Sequence, residues 1–381
     1  MIKPASYADG WFMFDSMRGI TNGGADARLY ANDAGGENAG NSYLDLTATG
    51  FKPIGGTMNS NGEEYIFMAV RRNNKPAEEF EPEELFNTVS VTQDGKPSAV
   101  TNFPVDMGIL RNYGADEVVY LTDRLRNGKR LNTASSDAEV AGSDSFEAWD
   151  YNNGYLEVTW DTSTYLSWSW RRTPHFFDVV CYEGNGVTGR DITHSLGVKP
   201  EMIWTKGRSL ETYWCVWHES YGTTNNQLRL ESDGPLSSGY FAENPSTPPV
   251  ITDETFSVNA NGYINGVAQD YIAYLWASVP GLCDIGVYEG TGGDLFVDCG
   301  FAGPSRFVLI KNADGSGDWF VWDTERGFEY GPDPYLTLNN TTAQVTGTSY
   351  VTNVSGGFNV RAAAPASINE SGKKYIYMAI A

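Results

Sequence analysis

The stretch Tyr271-Ile272-Ala273-Tyr274-Leu275 decides the fold, because closely similar stretches recur along the chain. They read Tyr65-Ile66-Phe67-Met68-Ala69, Tyr165-Leu166-Ser167-Trp168-Ser169 and Tyr375-Ile376-Tyr377-Met378-Ala379. Their spacing is about 100 residues, and self-similarity at a steady period is the mark of a repeat architecture. The sequence therefore predicts four copies of one unit.

A second block precedes each of these stretches. It reads Trp11-Phe12-Met13-Phe14-Asp15, Trp214-Cys215-Val216-Trp217-His218 and Trp319-Phe320-Val321-Trp322-Asp323 in three copies, and Val119-Tyr120-Leu121-Thr122-Asp123 in the remaining one. We place the four repeats at 1–76, 77–172, 173–279 and 280–381. Residues 282–308 of the last repeat have no counterpart before Met1, so we expect the first repeat to be truncated at its N-terminus.

The repeats have the character of strands rather than helices. Short runs rich in Val, Ile, Tyr, Phe and Trp alternate with clusters of Gly, Asn, Asp and Ser, which is typical of strands joined by turns. Many short strands in a unit of about 100 residues favour a β-sandwich over a solenoid turn or propeller blade. We predict an all-β protein of four tandem β-sandwiches of jelly-roll or Greek-key type.

Composition excludes several classes of function. The 381 residues carry 48 acidic and 26 basic side chains, a net charge of -22, whereas nucleic-acid binding needs a basic face. No apolar run approaches the length that crosses a bilayer, and the N-terminus lacks the apolar stretch of a secretory signal. We therefore expect no nucleic-acid partner, no membrane insertion and no export by the ordinary secretory route.

Residues that often catalyse reactions or bind metals are scattered. Three of the four cysteines replace apolar residues of sister repeats, which predicts packing as small hydrophobes. His218 stands where sister repeats have Asp, so we expect a turn or ion-pair residue rather than a catalytic base. No nucleophile elbow or phosphate loop occurs, and acids such as those of Asp137-Ala138-Glu139 are expected to solvate the surface. We predict no enzyme activity, no catalytic residue, no cofactor and no metal.

Two recurring features are expected to be structural. An Asp that ends a strand is followed three residues later by Arg, which indicates a tight turn closed by the Asp side chain. The pairs are Asp15 with Arg18, Asp123 with Arg126, and Asp323 with Arg326. Trp11, Trp214 and Trp319 occupy one position in three copies, so we predict that all three are buried in the core.

Several blocks, taken in order, resemble the tandem repeat domain of tail-fibre-like virion proteins of tailed phages, many of them marine and cyanobacterial. These blocks begin at Trp11-Phe12-Met13-Phe14-Asp15, Tyr65-Ile66-Phe67-Met68, Phe103-Pro104-Val105-Asp106, Asp123-Arg124-Leu125-Arg126 and Phe176-Phe177-Asp178-Val179. The resemblance covers nearly the whole chain. It implies a virion structural protein assembled in the bacterial cytoplasm, a spacer and host-surface adhesin. The expected partners are other virion proteins, further copies of the chain in a homo-oligomer such as a trimer, and host-surface glycan or protein.

Other functions stay open at this stage. A capsid or tail decoration protein would show the same composition, and a depolymerase of host polysaccharide would need one tuned pair of carboxylates. A bacterial lectin is a further alternative. We also expect the open edge of repeat 1, beside residues 1–15, to be completed by a strand from another subunit or virion protein. The alternative is that the Pro76–Glu84 linker folds back over that edge.

Overall fold

The computed structural model describes residues 1–54, 56–72, 75–92, 97–141, 147–157, 164–221, 224–244, 246–329 and 331–381. Its regular structure is nearly all β, which confirms the predicted fold class. Within the described residues the two α-helices, Gly262–Asn265 and Ala366–Asn369, have four residues each. Short 3-10 turns lie at Gly56–Met58, Ala77–Glu79, Pro82–Glu84, Glu219–Tyr221 and Thr324–Arg326.

The strands are numbered in chain order. Repeat 1 contains β1 (Ile2–Pro4), β2 (Phe12–Met13), β3 (Leu29–Tyr30), β4 (Leu44–Leu46), β5 (Phe51–Pro53) and β6 (Tyr65–Phe67). Repeat 2 contains β7 (Phe86–Ser90), β8 (Ala99–Val100), β9 (Met107–Asn112), β10 (Tyr120–Asp123), β11 (Lys129–Asn132), β12 (Val140–Ala141), β13 (Glu147–Ala148), β14 (Gly154–Glu157) and β15 (Tyr165–Trp170).

The last two repeats follow the same plan. Repeat 3 contains β16 (Phe177–Glu183), β17 (Arg190–Thr193), β18 (Met202–Gly207), β19 (Cys215–His218), β20 (Asn226–Arg229), β21 (Ser237–Ser238), β22 (Thr255–Val258) and β23 (Asp270–Trp276). Repeat 4 contains β24 (Cys283–Glu289), β25 (Leu295–Asp298), β26 (Phe307–Asn312), β27 (Trp319–Asp323), β28 (Leu336–Thr337), β29 (Val351–Val354), β30 (Gly357–Val360) and β31 (Lys374–Ile380).

Each repeat is a larger antiparallel sheet packed on a smaller one. The larger sheets have the orders β3-β2-β1-β6, β12-β11-β10-β9-β15-β7, β16-β23-β18-β19-β20-β21 and β24-β31-β26-β27-β28. The smaller sheets are β4-β5, β13-β14-β8, β17-β22 and β25-β30-β29. In repeat 3, Ile192 and Phe256 of the smaller sheet share a core with Ala273 and Leu275 of the larger one. This packing of two sheets around a core is a β-sandwich.

The other face of the larger sheets is buried as well. Along β23 the side chains of Ile272, Tyr274 and Trp276 point away from the sandwich core, because strand residues alternate between faces. They join one hydrophobic cluster to which repeats 2, 3 and 4 all contribute, here called the shared core. At its centre Trp276 of repeat 3 lies 6.4 Å from Trp170 of repeat 2 between ring centroids, and Trp170 lies 5.9 Å from Phe307 of repeat 4.

Repeats 2, 3 and 4 close into a ring around the shared core. One backbone hydrogen bond recurs at all three junctions, from a loop of one repeat to the carbonyl that follows a central strand of the next. The donor and acceptor pairs are Glu139 N to Arg208 O at 2.8 Å, Leu236 N to Ala313 O at 2.9 Å, and Gln344 N to Tyr113 O at 3.0 Å. The three repeats therefore stand in an approximately threefold arrangement, called here the ring.

Repeat 1 lies outside the ring and has a small core of its own, which includes Ile2, Phe12 and Leu44. It is attached to the side of the ring through Asn22. The Asn22 N–H donates to Leu125 O of repeat 2 at 3.0 Å, and its carbonyl accepts from Arg208 of repeat 3 at 2.9 Å.

All four repeats share one strand register. The cation of the central strand pairs with the second residue of the Tyr-initiated strand in each copy: Lys3 with Ile66, Arg111 with Leu166, Lys206 with Ile272, and Lys311 with Ile376. The recurring Tyr has a structural reason. Tyr375 OH donates to Ala366 O at 2.6 Å and accepts from Glu370 N at 2.8 Å, which ties the short helix Ala366–Asn369 to the start of β31.

Candidate functional site

The three Asp–Arg pairs singled out in the sequence form one and the same turn. The first carboxylate oxygen accepts the backbone N–H of the Arg, at 2.9 Å for Arg18, 3.0 Å for Arg126 and 3.1 Å for Arg326. The second oxygen accepts from the Arg Nε, at 2.6, 2.5 and 2.7 Å respectively. The acceptors are Asp15, Asp123 and Asp323. Gly19 and Gly327 follow with φ of 102° and 94°, a conformation that favours glycine.

Two of these turns are buried at junctions of the ring. The second oxygen of Asp123 also accepts the hydroxyl of Tyr274, from the next repeat, at 2.6 Å. The same oxygen of Asp323 accepts from the indole Nε1 of Trp168 at 3.1 Å. Asp15 belongs to repeat 1, and its side chain is 46% exposed. Inside the ring the turn therefore binds the neighbouring repeat as well as closing a corner.

At the junction between repeats 3 and 4, uncharged residues stand in place of the Asp and of its hydrogen-bond donor. His218 takes the place of the Asp and is buried, and burial lowers its pKa to about 3, so its imidazole is neutral. The backbone N–H of Ser220 donates to its Nδ1 at 3.2 Å, as in a turn. By the shared register Met378 stands where the other junctions have Tyr274 and Trp168, and a Met side chain has no proton to donate.

The recurring tryptophans are buried by the neighbouring repeat. Trp214 and Trp319 are 0% exposed, and their indole Nε1 atoms donate at 2.9 Å to Asn132 O of repeat 2 and Arg229 O of repeat 3. The prediction that Trp11 is a core residue was wrong, because Trp11 is 37% exposed. Its counterparts are covered by the repeat before them in the ring, and repeat 1 lies outside the ring.

Buried cations cross each junction. Lys206 Nζ donates to Ser136 O of repeat 2 at 3.1 Å, and Lys311 Nζ donates to Gly234 O of repeat 3 at 2.8 Å. Arg111 makes the equivalent contact with a carbonyl of repeat 4. Burial lowers the pKa of both lysines to about 8. Sequence reasoning missed these residues, although a cation at one place in four apolar strands is a signal that the sequence contains.

Glu139 is a junction residue and not a solvated surface acid as the sequence analysis expected. Its side chain is 10% exposed and accepts from Arg208 of repeat 3 at 3.0 Å, with Arg126 at 3.6 Å. Burial alone would raise the pKa of Glu139, but Arg126 and Arg208 outweigh burial and hold that pKa at about 2. Glu139 is therefore ionised and links repeat 2 to repeat 3.

Repeat 1 displays an exposed apolar strip along β6 and the residues that follow it. Ile66 is 52% exposed, Met68 58% and Val70 84%. Strand β6 is also the edge of its sheet within the described residues, whereas the matching strands of the ring have a further neighbour, β7, β16 or β24. The open edge thus lies beside β6 and not, as expected from the sequence, beside residues 1–15.

The linker after repeat 1 packs on the ring and not on the open edge of β6. Ala77 belongs to the shared core, and its N–H donates to Pro174 O at 3.1 Å. Glu78 lies 3.0 Å from Nδ1 of His175 in repeat 3. The alternative that the Pro76–Glu84 linker folds back over the edge of repeat 1 was therefore wrong.

Two clefts among the described residues each have a single carboxylate in their lining. A cleft of about 130 Å³ beside Met17 has one carboxylate in its lining, Asp150, and a cleft of about 230 Å³ beside Tyr113 has one, Glu325. A glycosidase of the usual kind needs two. In the part of the chain that the structure describes, no three His, Cys, Asp or Glu residues are grouped to bind a metal ion.

The four cysteines are free. Burial raises the pKa of Cys181 and Cys215 to about 12, so their thiols stay protonated and unreactive at neutral pH. Among the described residues there is no helix with the length and apolar character needed to cross a membrane.

Comparison with known proteins gives a family but no activity. A family model described as a domain of unknown function, DUF7483, matches residues 1–73 and 81–381. No curated protein matches the chain.

Proposed function

The chain belongs to the DUF7483 family, and we propose that this member is a structural protein of a phage virion, of the tail-fibre or appendage type. It acts there as a spacer and as an adhesin for the bacterial surface. The proposal starts from the resemblance of the repeat blocks, which covers nearly the whole chain. Its partners are other virion proteins and a host-surface glycan or protein.

The observation that supports this proposal best is the ring itself. Three sandwiches bury their larger sheets in one shared core, and their junctions are closed by buried ion pairs, indole hydrogen bonds and lysine contacts to carbonyls. Such a body is rigid and carries loops on all sides. No disulfide joins its four cysteines, which suits a chain that folds in the reducing bacterial cytoplasm and acts outside the cell.

Adhesion by such a protein depends on copy number. The described clefts are small and shallow, so a single contact with a glycan is expected to be weak. Several fibres on one particle raise the effective concentration of further contacts, which increases avidity by orders of magnitude. A spacer with weak individual sites is therefore sufficient for attachment.

Immunogold labelling of intact phage particles that carry the gene tests this proposal. Antibodies against the whole chain are expected to label the tail or its appendages, and the fluorescent chain is expected to bind host cells. Label spread over the capsid would identify a decoration protein instead. Particles without label, or release of reducing ends from host polysaccharide by the purified chain, would refute the role of a non-enzymatic fibre protein.

A further inference from the structure

Repeat 1 has counterparts of the residues that are buried at the ring junctions, but within the described part of the chain no neighbouring repeat covers them. Alignment of the four Tyr-initiated stretches puts Ile66, Met68 and Val70 at the positions whose side chains form the shared core in the other repeats, and the strand pairing of repeat 1 shows the shared register for Ile66. The ring counterparts are Leu166, Trp168 and Trp170, then Ile272, Tyr274 and Trp276, and then Ile376, Met378 and Ile380. Each of these nine is at most 2% exposed.

We propose that repeat 1 associates with repeat 1 of two further copies of this chain, in the same threefold arrangement that repeats 2, 3 and 4 adopt. The exposed strip of Ile66, Met68 and Val70 would form a second shared core on the threefold axis. Trp11, now 37% exposed, would be covered by the adjacent copy as Trp214 and Trp319 are covered by the adjacent repeat.

The occupant is a copy of the same repeat because repeat 1 has counterparts of both surfaces that meet at a ring junction. At two junctions of the ring, the Asp turn of one repeat accepts a hydrogen bond from the core strand of the next repeat. Repeat 1 has the turn, with the Asp15 side chain 46% exposed, and the strand, with Met68 exposed; Met68, like Met378, would pack on the neighbouring turn without donating a hydrogen bond. An interface of this head-to-tail kind closes into a ring when the rotation fits, and the ring of this chain closes after three units.

Attachment of repeat 1 to its own ring leaves the strip free. That attachment uses Asn22 and the ion pair between Arg72 and Asp106, whose Nη2 and Oδ2 atoms lie 2.7 Å apart. The strip lies on β6 and the residues after it, which stay exposed. Trimer formation through repeat 1 is therefore compatible with the observed contacts, and it does not depend on the virion role proposed above.

The mass of the full chain in solution is the first test. We expect three times 41.8 kDa by light scattering over a concentration series. Met68→Asp should give the monomer mass with an unchanged circular dichroism spectrum, since the side chain is exposed. Val250→Asp is the matched control, because Val250 is 59% exposed in repeat 3, and it should remain trimeric. A monomer or dimer of the unmodified chain would refute the proposal, as would a Met68→Asp protein that stays trimeric.

Carbodiimide cross-linking tests the arrangement of the copies. Lys206 Nζ donates to Ser136 O in the loop between β11 and β12 of the neighbouring repeat, and the same loop contains Glu139. By the repeat alignment the same contact in a repeat 1 ring joins Lys3 of one copy to the loop that contains Glu37 in the next. In a mixture of heavy-isotope and ordinary chains, a cross-link between Lys3 and Glu37 should appear with mixed isotopes. A trimer with only single-isotope cross-links would mean that the copies meet elsewhere.

Discussion

Replacing Asp123 with Asn tests whether the buried Asp–Arg turn stabilises the ring. Asn keeps an oxygen for the Arg126 N–H but removes the charge that offsets its guanidinium. Both side chains are 0% exposed, and breaking a buried ion pair from one side costs roughly 3–5 kcal/mol. The hydroxyl of Tyr274 also loses a charged acceptor at 2.6 Å, so we expect a loss in the upper half of this range.

The chain contains a matched control for this substitution. Asp15→Asn changes the same turn in repeat 1, where the Asp and Arg18 side chains are 46% and 23% exposed. Burial of Asp15 tends to raise its pKa, and Arg18 with the backbone N–H groups of the turn reverses this and lowers the pKa. Exposed pairs contribute roughly 0–1 kcal/mol, so Asp15→Asn should have a small effect when both variants are compared in the Met68→Asp chain, which is expected to be a monomer with Asp15 uncovered.

Urea and thermal unfolding, followed by Trp fluorescence at neutral pH, measure the difference between the two variants. A loss of 3–5 kcal/mol corresponds to a fall in Tm of roughly 5–8 °C for a body of this size. Asp323→Asn should behave like Asp123→Asn, because its carboxylate is equally buried and accepts from Trp168. If Asp15→Asn and Asp123→Asn both lower the free energy of unfolding only slightly, burial of the turn at the ring junction does not contribute the expected stability, and the reasoning is refuted.

Three further outcomes are expected. Glu139 has its folded pKa lowered from 4.5 to about 2, so its stabilisation is present above pH 4.5 and is lost as the pH falls towards 2; the difference in unfolding free energy between the unmodified chain and Glu139→Gln should vanish over that range. His218 has its folded pKa lowered from 6.5 to about 3, so only the unfolded chain takes up the proton below pH 6.5, and His218→Gln should weaken the loss of stability between pH 7 and 5. In the Met68→Asp chain, which is expected to be a monomer, Trp319→Ala should cost roughly 3–5 kcal/mol in urea unfolding and Trp11→Ala much less; equal costs there would contradict the exposure of Trp11 in the single chain.

The sequence alone predicted the class of fold because strand signals are local. Alternation, turn residues and the repeated blocks each depend on residues close together in the chain, and they identified an all-β protein. The prediction of a turn at Asp15, Asp123 and Asp323 was also local, and the observed hydrogen bonds have the geometry it describes. The domain boundaries and the virion function stay predictions.

The arrangement of the repeats could not be predicted in the same way. No local signal showed that Asp15 would differ from Asp123, or Trp11 from Trp319, because the members of each pair stand at the same position of the same block. Their different burial depends on contact with a neighbouring repeat. Trp319 makes such a long-range contact with Arg229 of repeat 3, whereas Trp11 stays partly exposed. Glu139 was misread for the same reason, since its partner Arg208 belongs to the next repeat.

One signal for the ring was nevertheless present in the sequence. A sandwich covers one face of each sheet, so a strand of an isolated sandwich should alternate apolar and polar residues. The run from Tyr271 to Trp276 is apolar at every position, which requires a second layer on its other face, and repeats 3 and 4 both meet that requirement through the shared core. The run from Tyr65 to Val70 is just as continuous, and no second layer covers it among the residues that the structure describes. The same continuous apolar run is therefore buried in repeats 3 and 4 and exposed in repeat 1. Whether this face of the larger sheet is buried depends on a neighbouring repeat and not on the sequence of the run itself.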